Sequence, residues 1–508
     1  MKRITYIILL FSLAGITSCS KELDQEPNSD IAFDNLFNNP NDFLLAVNGS
    51  YTKLKTIPTN LMWMAEMRSD NSNVTSDGNR DWQGIKNFSP NLTTTGFIVS
   101  AWQNDFNGIY NVNSTLNAIV SKGPGILSDA LTARYTAECR FLRAFYYFDL
   151  LKYYGRLPIL DKPLIPSEAG TIPRSSLEDV YKFIIDDLEY AAANLPQAWT
   201  GADLGRPSSY SAKGILGQVY MTRSGPAYVS GPGINSNEWS KAQSYFDEII
   251  SSNKYAFATD FASIFSYTNE NNKEVVFDIQ YALTTNGGDF PSQLVPDVYW
   301  SGLGVANYGN GYGSATYNVS TNLLQSYRNS AGAGVTDKRD TFSIKHAYPT
   351  GTTAPIVIDT TRPFIKKYLN AALKGKDRAD WPINFIVLRY TDVLMMKAEC
   401  ILHGGPGTQQ NVVDIVNQVR TRAGVPAASN VDLPYLMEER RREFLGEGIR
   451  WNDLVRENMF VNTMNAWRVS DTLTATIQQV KPEYSVYPVP QAEILAKPGL
   501  YDQNEGYF

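Results

Sequence analysis

The spacing of hydrophobic residues predicts that most of this chain is helical. From Leu177 to Leu195 apolar side chains recur at i, i+3, i+4 and i+7, the spacing that puts one helix face against a core. Ser175 followed by Glu178 predicts a capping box at the start of this helix. The same spacing predicts further helices over residues 131–153, 212–220, 239–250, 390–401 and 412–419.

These predicted helices follow one another as pairs, with small residues alternating with large ones along each apolar stripe. Gly214 and Gly217 leave room for a neighbouring element to approach closely. Helix pairs that recur at about 34 residues are typical of tetratricopeptide-like solenoids. The pattern therefore predicts a mainly α fold, a tetratricopeptide-like helix-pair solenoid with long irregular loops and few short strands.

Two regions depart from the helical pattern. Residues 274–279 predict a short strand, and the following residues 286–318 are rich in Gly, Asn, Ser and Tyr. Residues 68–95 form a similar loop-rich region. Long irregular segments inside a compact body are usually functional or disordered, so both regions are candidates for binding.

The N-terminus predicts an export signal with lipid attachment. Met1-Lys2-Arg3 precedes an apolar run to Ile16, and Thr17-Ser18 leads into Cys19. This order is typical of a secretory signal with a lipobox, in which the chain is cleaved before the cysteine and its thiol is acylated, for example by palmitate. The alternative is a cytosolic protein with an apolar N-terminus.

This interpretation divides the chain into five regions. We expect residues 1–18 to be a lipoprotein signal peptide and 19–40 a lipidated tether. An N-terminal helical-repeat region with a ligand loop is expected over 41–270, a loop-rich insertion over 271–382, and a C-terminal helical region over 383–508.

Charge and residue counts argue against several classes of function. The 508 residues hold 45 Lys+Arg against 51 Asp+Glu, a net charge of −6, which argues against a nucleic-acid partner. His346 and His403 are the only histidines, too few for a histidine metal cluster or Ser-His-Asp chemistry. Besides Cys19 the chain has Cys139 and Cys400, which we expect to be buried thiols, with a disulfide as the alternative.

Several segments resemble the SusD/RagB family, in order over essentially the whole mature chain. They are Arg140–Leu150 with Tyr154–Pro158, Leu388–Leu394 with Ala398-Glu399, Val419–Gly424, Glu438–Phe444 with Glu447–Arg456, and Tyr487–Ile494 with Asn504–Tyr507. The resemblance implies an all-helical fold built on tetratricopeptide-like pairs. It also implies a surface-exposed, lipid-anchored protein of the outer membrane in Bacteroidetes-type bacteria. Such proteins cap a SusC-like TonB-dependent transporter and deliver oligosaccharides, or in some members peptides, to it.

The loop regions supply the candidate ligand contacts. Sugar rings stack their apolar faces on indole and phenol rings, while their hydroxyls bind amide, carboxylate and guanidinium groups. In the family that this chain resembles, a set of aromatic and polar side chains from the N-terminal loops meets another such set from the middle segment. By position, the candidates here are Trp82, Arg68, Asp70 and Asn71 from the first region, and Tyr299, Trp300, Tyr308 and Tyr312 from the second.

No residue is predicted to be catalytic, and no metal or cofactor is predicted. Glu438 and Glu439 lie at i, i+4 and i, i+3 to Arg442, so ion pairing along a helix explains this acidic run. Glycoside cleavage requires a pair of carboxyl groups of which one has a raised pKa, and no such pair is evident. A lipid-anchored glycoside hydrolase stays one alternative, and a peptide-binding or scaffold lipoprotein without glycan binding is the other.

Overall fold

The computed structural model describes residues 36–73, 81–283, 286–303, 318–375, 377, 379–471 and 476–508. Helices dominate these residues, as the hydrophobic spacing predicts. Numbered α1 to α19 in chain order, they are Pro40–Ser50, Ile57–Leu61, Asp81–Lys86, Gly96–Lys122, Asp129–Tyr154, Pro166–Ala169, Leu177–Asn194, Ser209–Ser224, Trp239–Ser251, Phe261–Ile264, Asp297–Gly302, Thr321–Ala331, Lys338–Ser343, Tyr390–Leu402, Gln409–Ala423, Leu433–Glu443, Arg450–Arg456, Phe460–Ser470 and Gln491–Ala496.

The long helices pack in succession as the solenoid requires. Helix α4 packs on α5, α5 on α7, α7 on α8 and α8 on α9. Helix α9 then packs on α14, although residues 252–389 separate them in the chain, and α14 packs on α15. The middle of the chain is therefore inserted between two neighbouring helices of the stack.

Short strands occur where the helical spacing is interrupted. Numbered β1 to β8, they are Ser72–Asn73, Val275–Ile279, Asn318–Val319, Ile344–Lys345, Tyr348–Pro349, Ile358–Asp359, Phe364–Ile365 and Phe385–Arg389. They form antiparallel pairs β1–β3, β2–β8, β4–β7 and β5–β6. The predicted strand at residues 274–279 is confirmed as β2, whereas its partner β8 was not predicted. Single turns of 3₁₀ helix lie at Thr52–Thr56, Gly201–Asp203, Phe290–Ser292 and Pro482–Ser485, and a π-helical turn spans Met62–Glu66.

The structure tests two sequence predictions about the helices, namely the cap of α7 and the close approaches at Gly214 and Gly217. Helix α7 is capped by Ser176, whose hydroxyl accepts from the Asp179 N–H, so the predicted capping box at Ser175 is wrong by one residue. A Cβ at Gly217 would lie 2.3 Å from the Phe246 ring, which shows that glycine is required for α9 to approach α8. At Gly214 the corresponding contact is with Leu388 of β8, at 2.2 Å.

Both remaining cysteines are buried free thiols, which confirms the expectation for Cys139 and Cys400. Burial raises the pKa of each thiol, so both stay protonated at neutral pH. Over the described part of the chain, no helix combines the length and apolar character needed to cross a bilayer.

A network of buried charges ties the C-terminal helices to the inserted segment. Glu443, at the end of α16, accepts hydrogen bonds from the guanidinium groups of Arg339 at 3.2 Å, Arg389 at 2.9 Å and Arg422 at 2.6 Å. The predicted pair of Glu439 with Arg442 is confirmed at 2.8 Å. It is buried rather than on a solvated helix face, because α16 is covered on several sides.

The predicted partner of Glu438 is different from the one observed. Glu438 pairs with Arg441 at 3.3 Å and Arg450 at 2.7 Å. Arg442 instead donates to the Ser326 hydroxyl, because its side chain turns toward α12.

Candidate ligand-binding site

The two loop-rich regions meet at a short antiparallel ladder. Strand β1 pairs with β3, with Ser72 opposite Val319 and Asn73 opposite Asn318. Next to this ladder the Ser320 N–H donates to the Asn71 carbonyl at 2.9 Å. The N-terminal loop region and the middle segment therefore contact each other directly, as the family resemblance implies.

A cavity of about 440 Å³ opens beside this ladder, and we call it the loop-junction cavity. Strands β1 and β3, helix α12 and the segments around β5–β6 form its walls. Its lining residues are Asn73, Asn318, Val319, Thr321, Leu324, Arg328, His346, Ala347, Thr360, Thr361 and Pro363. Most of their side chains carry amide, hydroxyl, imidazole or guanidinium groups, so the wall is suited to polar ligands.

Several of these polar groups lack a partner within the described chain. The side-chain oxygens Oδ1 of Asn73 and Asn318 are buried and accept no hydrogen bond there. Arg328, in the last turn of α12, forms no ion pair with any residue the structure describes. Amide oxygens accept from hydroxyl groups and a guanidinium donates to them, so these groups can bind a polyhydroxylated ligand.

Neighbouring groups orient the lining. Asn73 Nδ2 donates to Asp471 Oδ2 at 3.4 Å, which leaves Oδ1 of the same amide turned away from that carboxylate. His346 Nε2 lies 2.8 Å from Asp340 Oδ1. These contacts hold an amide and an imidazole at opposite sides of the cavity.

The rings of Tyr299 and Trp300 are buried in a helix rather than exposed in a loop. Tyr299 is 9% and Trp300 1% exposed, in helix α11. The ring of Tyr299 packs on that of Tyr348 in β5, with the ring centroids 5.6 Å apart. Helix α11 sits tightly on this strand, since a Cβ at Gly302 would lie 1.7 Å from the Pro349 carbonyl oxygen. Residues 297–302, which were expected to be irregular, therefore fold into a packed helix that buries both rings.

Trp82 is also buried. It lies in α3, is 4% exposed, and stacks on Trp63 with ring centroids 5.3 Å apart. Trp63 in turn stacks on Phe97 at 4.9 Å. The expectation of an open loop around Trp82 is not met, because residues 81–86 form a helix whose apolar side packs inward. A ligand contact of Trp82 or Trp300 stays a prediction.

Arg68 holds two ends of the chain together. It is fully buried, with its guanidinium carbon 4.4 Å from the Phe88 ring centroid and 4.3 Å from that of Tyr487. It donates to the Tyr484 carbonyl at 2.9 Å. Cation–π contacts and hydrogen bonds from both terminal nitrogens thus hold this side chain, which presents no surface to a ligand.

Asp70 and Asn71 belong to the buried charge network. Asp70 pairs with Arg450 at 2.9 Å and Arg441 at 3.2 Å. Burial alone would raise the pKa of Asp70, but these two guanidinium groups hold it well below its usual range. Asn71 donates to Glu66 at 2.8 Å and accepts from Arg441 at 2.9 Å. Both side chains are less than 2% exposed, although Asp70 also forms part of the wall of a second cavity beside α16. A ligand role for either residue stays a prediction.

Three predicted positions lie outside the described residues. They are the lipidation site Cys19 and the loop tyrosines Tyr308 and Tyr312. Their roles stay predictions.

The residues that line the cavity were not singled out from the sequence. Asn73 and Asn318 lie at the edges of the two loop regions, and Arg328 follows in the next helix. The sequence did contain one signal, because each loop-rich region carries an asparagine close to one of its ends. Such residues come together if the two regions meet there. What the sequence could not show was the pairing of β1 with β3, which brings these amides together.

The fold and the cavity together define a helical-repeat protein with a polar cavity where its two loop-rich regions meet. The sequence model described as "SusD family" matches residues 348–507, and one described as "Starch-binding associating with outer membrane" matches residues 23–221. The chain belongs to the SusD/RagB family.

Individual relatives agree with this assignment. A "SusD-like protein" of Bacteroides ovatus is 28% identical over 391 residues, which cover 73% of this chain and 68% of that protein. "Starch-binding protein SusD" of Bacteroides thetaiotaomicron is 24% identical, over 75% of this chain and 74% of that protein.

A solved structure confirms the predicted fold. It is "Surface glycan-binding protein A" of Bacteroides thetaiotaomicron in complex with laminarihexaose. It superposes with a TM-score of 0.74 at 23% identity, over 92% of this chain and 100% of that chain.

Proposed function

We propose that this protein is a lipid-anchored outer-membrane protein that binds oligosaccharides at the loop-junction cavity. It then delivers them to a SusC-like TonB-dependent transporter. Membership of the SusD/RagB family supports this role, as does the association with the outer membrane that one matching family description names. Two similar proteins, one named for starch binding and one solved in complex with laminarihexaose, favour a glycan as the ligand class.

The observation that carries the proposal is the set of unpaired polar groups at the β1–β3 ladder. Asn73 and Asn318 place two buried amide oxygens, which have no partner in the described part of the chain, beside a cavity of about 440 Å³. Leaving such acceptors unsatisfied costs about 1–3 kcal/mol each, so a ligand that donates hydroxyl protons to them gains affinity. Saccharides carry many such hydroxyls.

The charges near the site favour binding without cleavage. The residues that line the cavity include no carboxylate. A glycosidase requires a carboxyl group with a raised pKa as general acid, and this lining offers none.

Isothermal titration against a panel of saccharides tests the binding role. The panel includes maltooligosaccharides, laminarin oligosaccharides and mannooligosaccharides, with a mixed peptide digest as a separate arm. We expect saturable binding of at least one saccharide series and no increase of reducing ends on long incubation. Release of reducing ends would favour the hydrolase, and binding of peptides alone would favour the peptide-binding alternative.

The anchor and the partner are tested in cells. We expect labelled palmitate to enter the wild-type protein and not the Cys19→Ala variant. External protease should cleave the anchored protein on intact cells. A TonB-dependent transporter should co-purify with it from detergent-solubilised membranes. A protein that takes up no lipid, or that never co-purifies with a transporter, would contradict this part of the proposal.

A further inference from the structure

A second, larger cavity lies on the other side of helix α12. Its volume is about 790 Å³, and we call it the α16 cavity because that helix forms its opposite wall. Thr321, Leu324 and Arg328 of α12 line the loop-junction cavity. Asn322, Gln325, Ser326, Asn329 and Ser330 of the same helix line the α16 cavity. One helix therefore separates the two cavities and presents a different face to each.

The α16 cavity offers amide and hydroxyl groups like those of the first cavity, together with the carboxylates of Asp70, Asp432 and Glu438. From α12 it receives the side-chain amides of Asn322, Gln325 and Asn329. The half-buried ring of Tyr435 contributes an aromatic surface from α16, and Thr463 adds a hydroxyl. Amides, hydroxyls and an accessible aromatic ring are the groups that bind sugar hydroxyls and stack on sugar faces.

The charges around the cavity are balanced. Arg442 pairs with Glu439 at 2.8 Å, and Arg441 pairs with Glu438 at 3.3 Å. A guanidinium that is already neutralised gives little attraction for an anion. A neutral polyhydroxylated ligand fits this lining better than an acidic one.

Two buried donors in this wall have no partner within the described residues. They are the indole N–H of Trp467, which is 2% exposed, and Nε of Arg442, which is 6% exposed. Buried donors are nearly always satisfied in native proteins, so two in one cavity wall call for an explanation. A ligand oxygen, reached after a small side-chain shift, provides one.

We infer that the α16 cavity is a second saccharide subsite, and that a single oligosaccharide crosses α12 to occupy both cavities. This inference rests on the proposed function. A helix with its side chains is about 10–12 Å across, so a short saccharide fills one cavity while a longer one reaches both. Once one end is bound, the other end meets its subsite at high effective concentration, which raises the affinity of long ligands.

Titration with a length series tests the inference. The series is the laminarin or maltooligosaccharide ladder that binds the wild-type protein, from disaccharide upward. We expect the affinity to rise by at least about tenfold once the ligand is long enough to span α12. Tyr435→Ala should weaken the long ligands about tenfold and leave the shortest binding ligand unchanged, because only the long ones contact this ring.

Two further variants guard against a folding artefact. Gln325→Ala changes an exposed side chain of α12 and should also weaken only long ligands. Tyr110→Ala removes a 52% exposed ring of α4 outside both cavity linings, and should leave the whole series unchanged.

The outcomes separate the two proposals. Equal affinity at every length, with no effect of Tyr435→Ala or Gln325→Ala, would overturn the second subsite and leave the proposed function standing. Loss of short-ligand binding in both variants would also overturn it, since the two cavities would then act as one. If no saccharide of any length binds, the proposed function itself is overturned.

Discussion

The C-terminal charge network and the loop-junction cavity differ in how completely their buried polar groups are paired. Around Glu443 three guanidinium groups, those of Arg339, Arg389 and Arg422, pair with one buried carboxylate. At the β1–β3 ladder two amide oxygens have no partner among the described residues, in strands of two residues each. Paired buried charges stabilise the fold at the first site, whereas the polar groups that we propose for ligand binding lie where hydrogen bonding is incomplete.

Removing one charge from the network should have the largest effect. Glu443→Gln keeps the shape of the side chain but leaves the guanidinium groups of Arg339, Arg389 and Arg422 without their shared carboxylate. Breaking a buried ion pair typically costs about 3–5 kcal/mol. We expect the free energy of unfolding in urea to fall by that amount.

The matched control for this variant is Glu189→Gln, on an exposed position of α7. It should change the free energy of unfolding by less than about 0.5 kcal/mol. Equal stability of Glu443→Gln and wild type would show that the network contributes no net stability.

Acid should weaken the same network. The pKa of Glu443 is about 2 in the folded protein, because the arginines more than offset its burial, and its ordinary value is 4.5. A carboxyl group with a lowered pKa stabilises the fold above its unfolded pKa, and this contribution is lost as the pH falls from about 4.5 to about 2. For Glu443 alone the loss amounts to about 3 kcal/mol.

Urea denaturation over this pH range measures the loss. Wild type should lose stability more steeply than Glu443→Gln, which no longer has this group to protonate. Parallel pH profiles for the two proteins would contradict the assignment.

A substitution at Trp82 distinguishes a packing role of this buried ring from a role in ligand contact. Because the ring is 4% exposed and stacks on Trp63, we expect Trp82→Phe to lower the free energy of unfolding by about 1–3 kcal/mol. Well below its melting temperature, the variant should keep the saccharide Kd of wild type. A weakened Kd in a variant that is fully folded by circular dichroism would instead support the ligand contact predicted from the sequence.

The sequence predicted the helices well and the site only in outline. Apolar spacing located α5, α7, α8, α9, α14 and α15, since each has a buried face that repeats with the helical period. It could not show that Arg68 and Asp70 are enclosed, because their partners Tyr484 and Arg450 lie far along the chain. Polar residues in a loop region look alike in sequence whether they face a ligand or a distant arginine.

The aromatic residues show the same limit. Trp300 and Tyr299 stand in a stretch rich in glycine and asparagine, which is typical of an exposed loop. Their burial depends on the β5–β6 hairpin, whose strands of two residues give no periodic signal. The loop-junction cavity was likewise visible only once the ladder of β1 with β3 was known.

The central claim is that the side-chain oxygens of Asn73 and Asn318, which accept no hydrogen bond from the described residues, bind saccharide. A calorimetric titration of the Asn73→Ala/Asn318→Ala variant tests this claim most directly. Two lost hydrogen bonds of about 0.5–1.5 kcal/mol each predict a Kd about tenfold weaker than wild type, with unchanged unfolding. Asn91→Ala, which removes an exposed amide outside the cavity lining, should bind like wild type. Equal affinity of the double variant and wild type for every saccharide that binds would contradict the account.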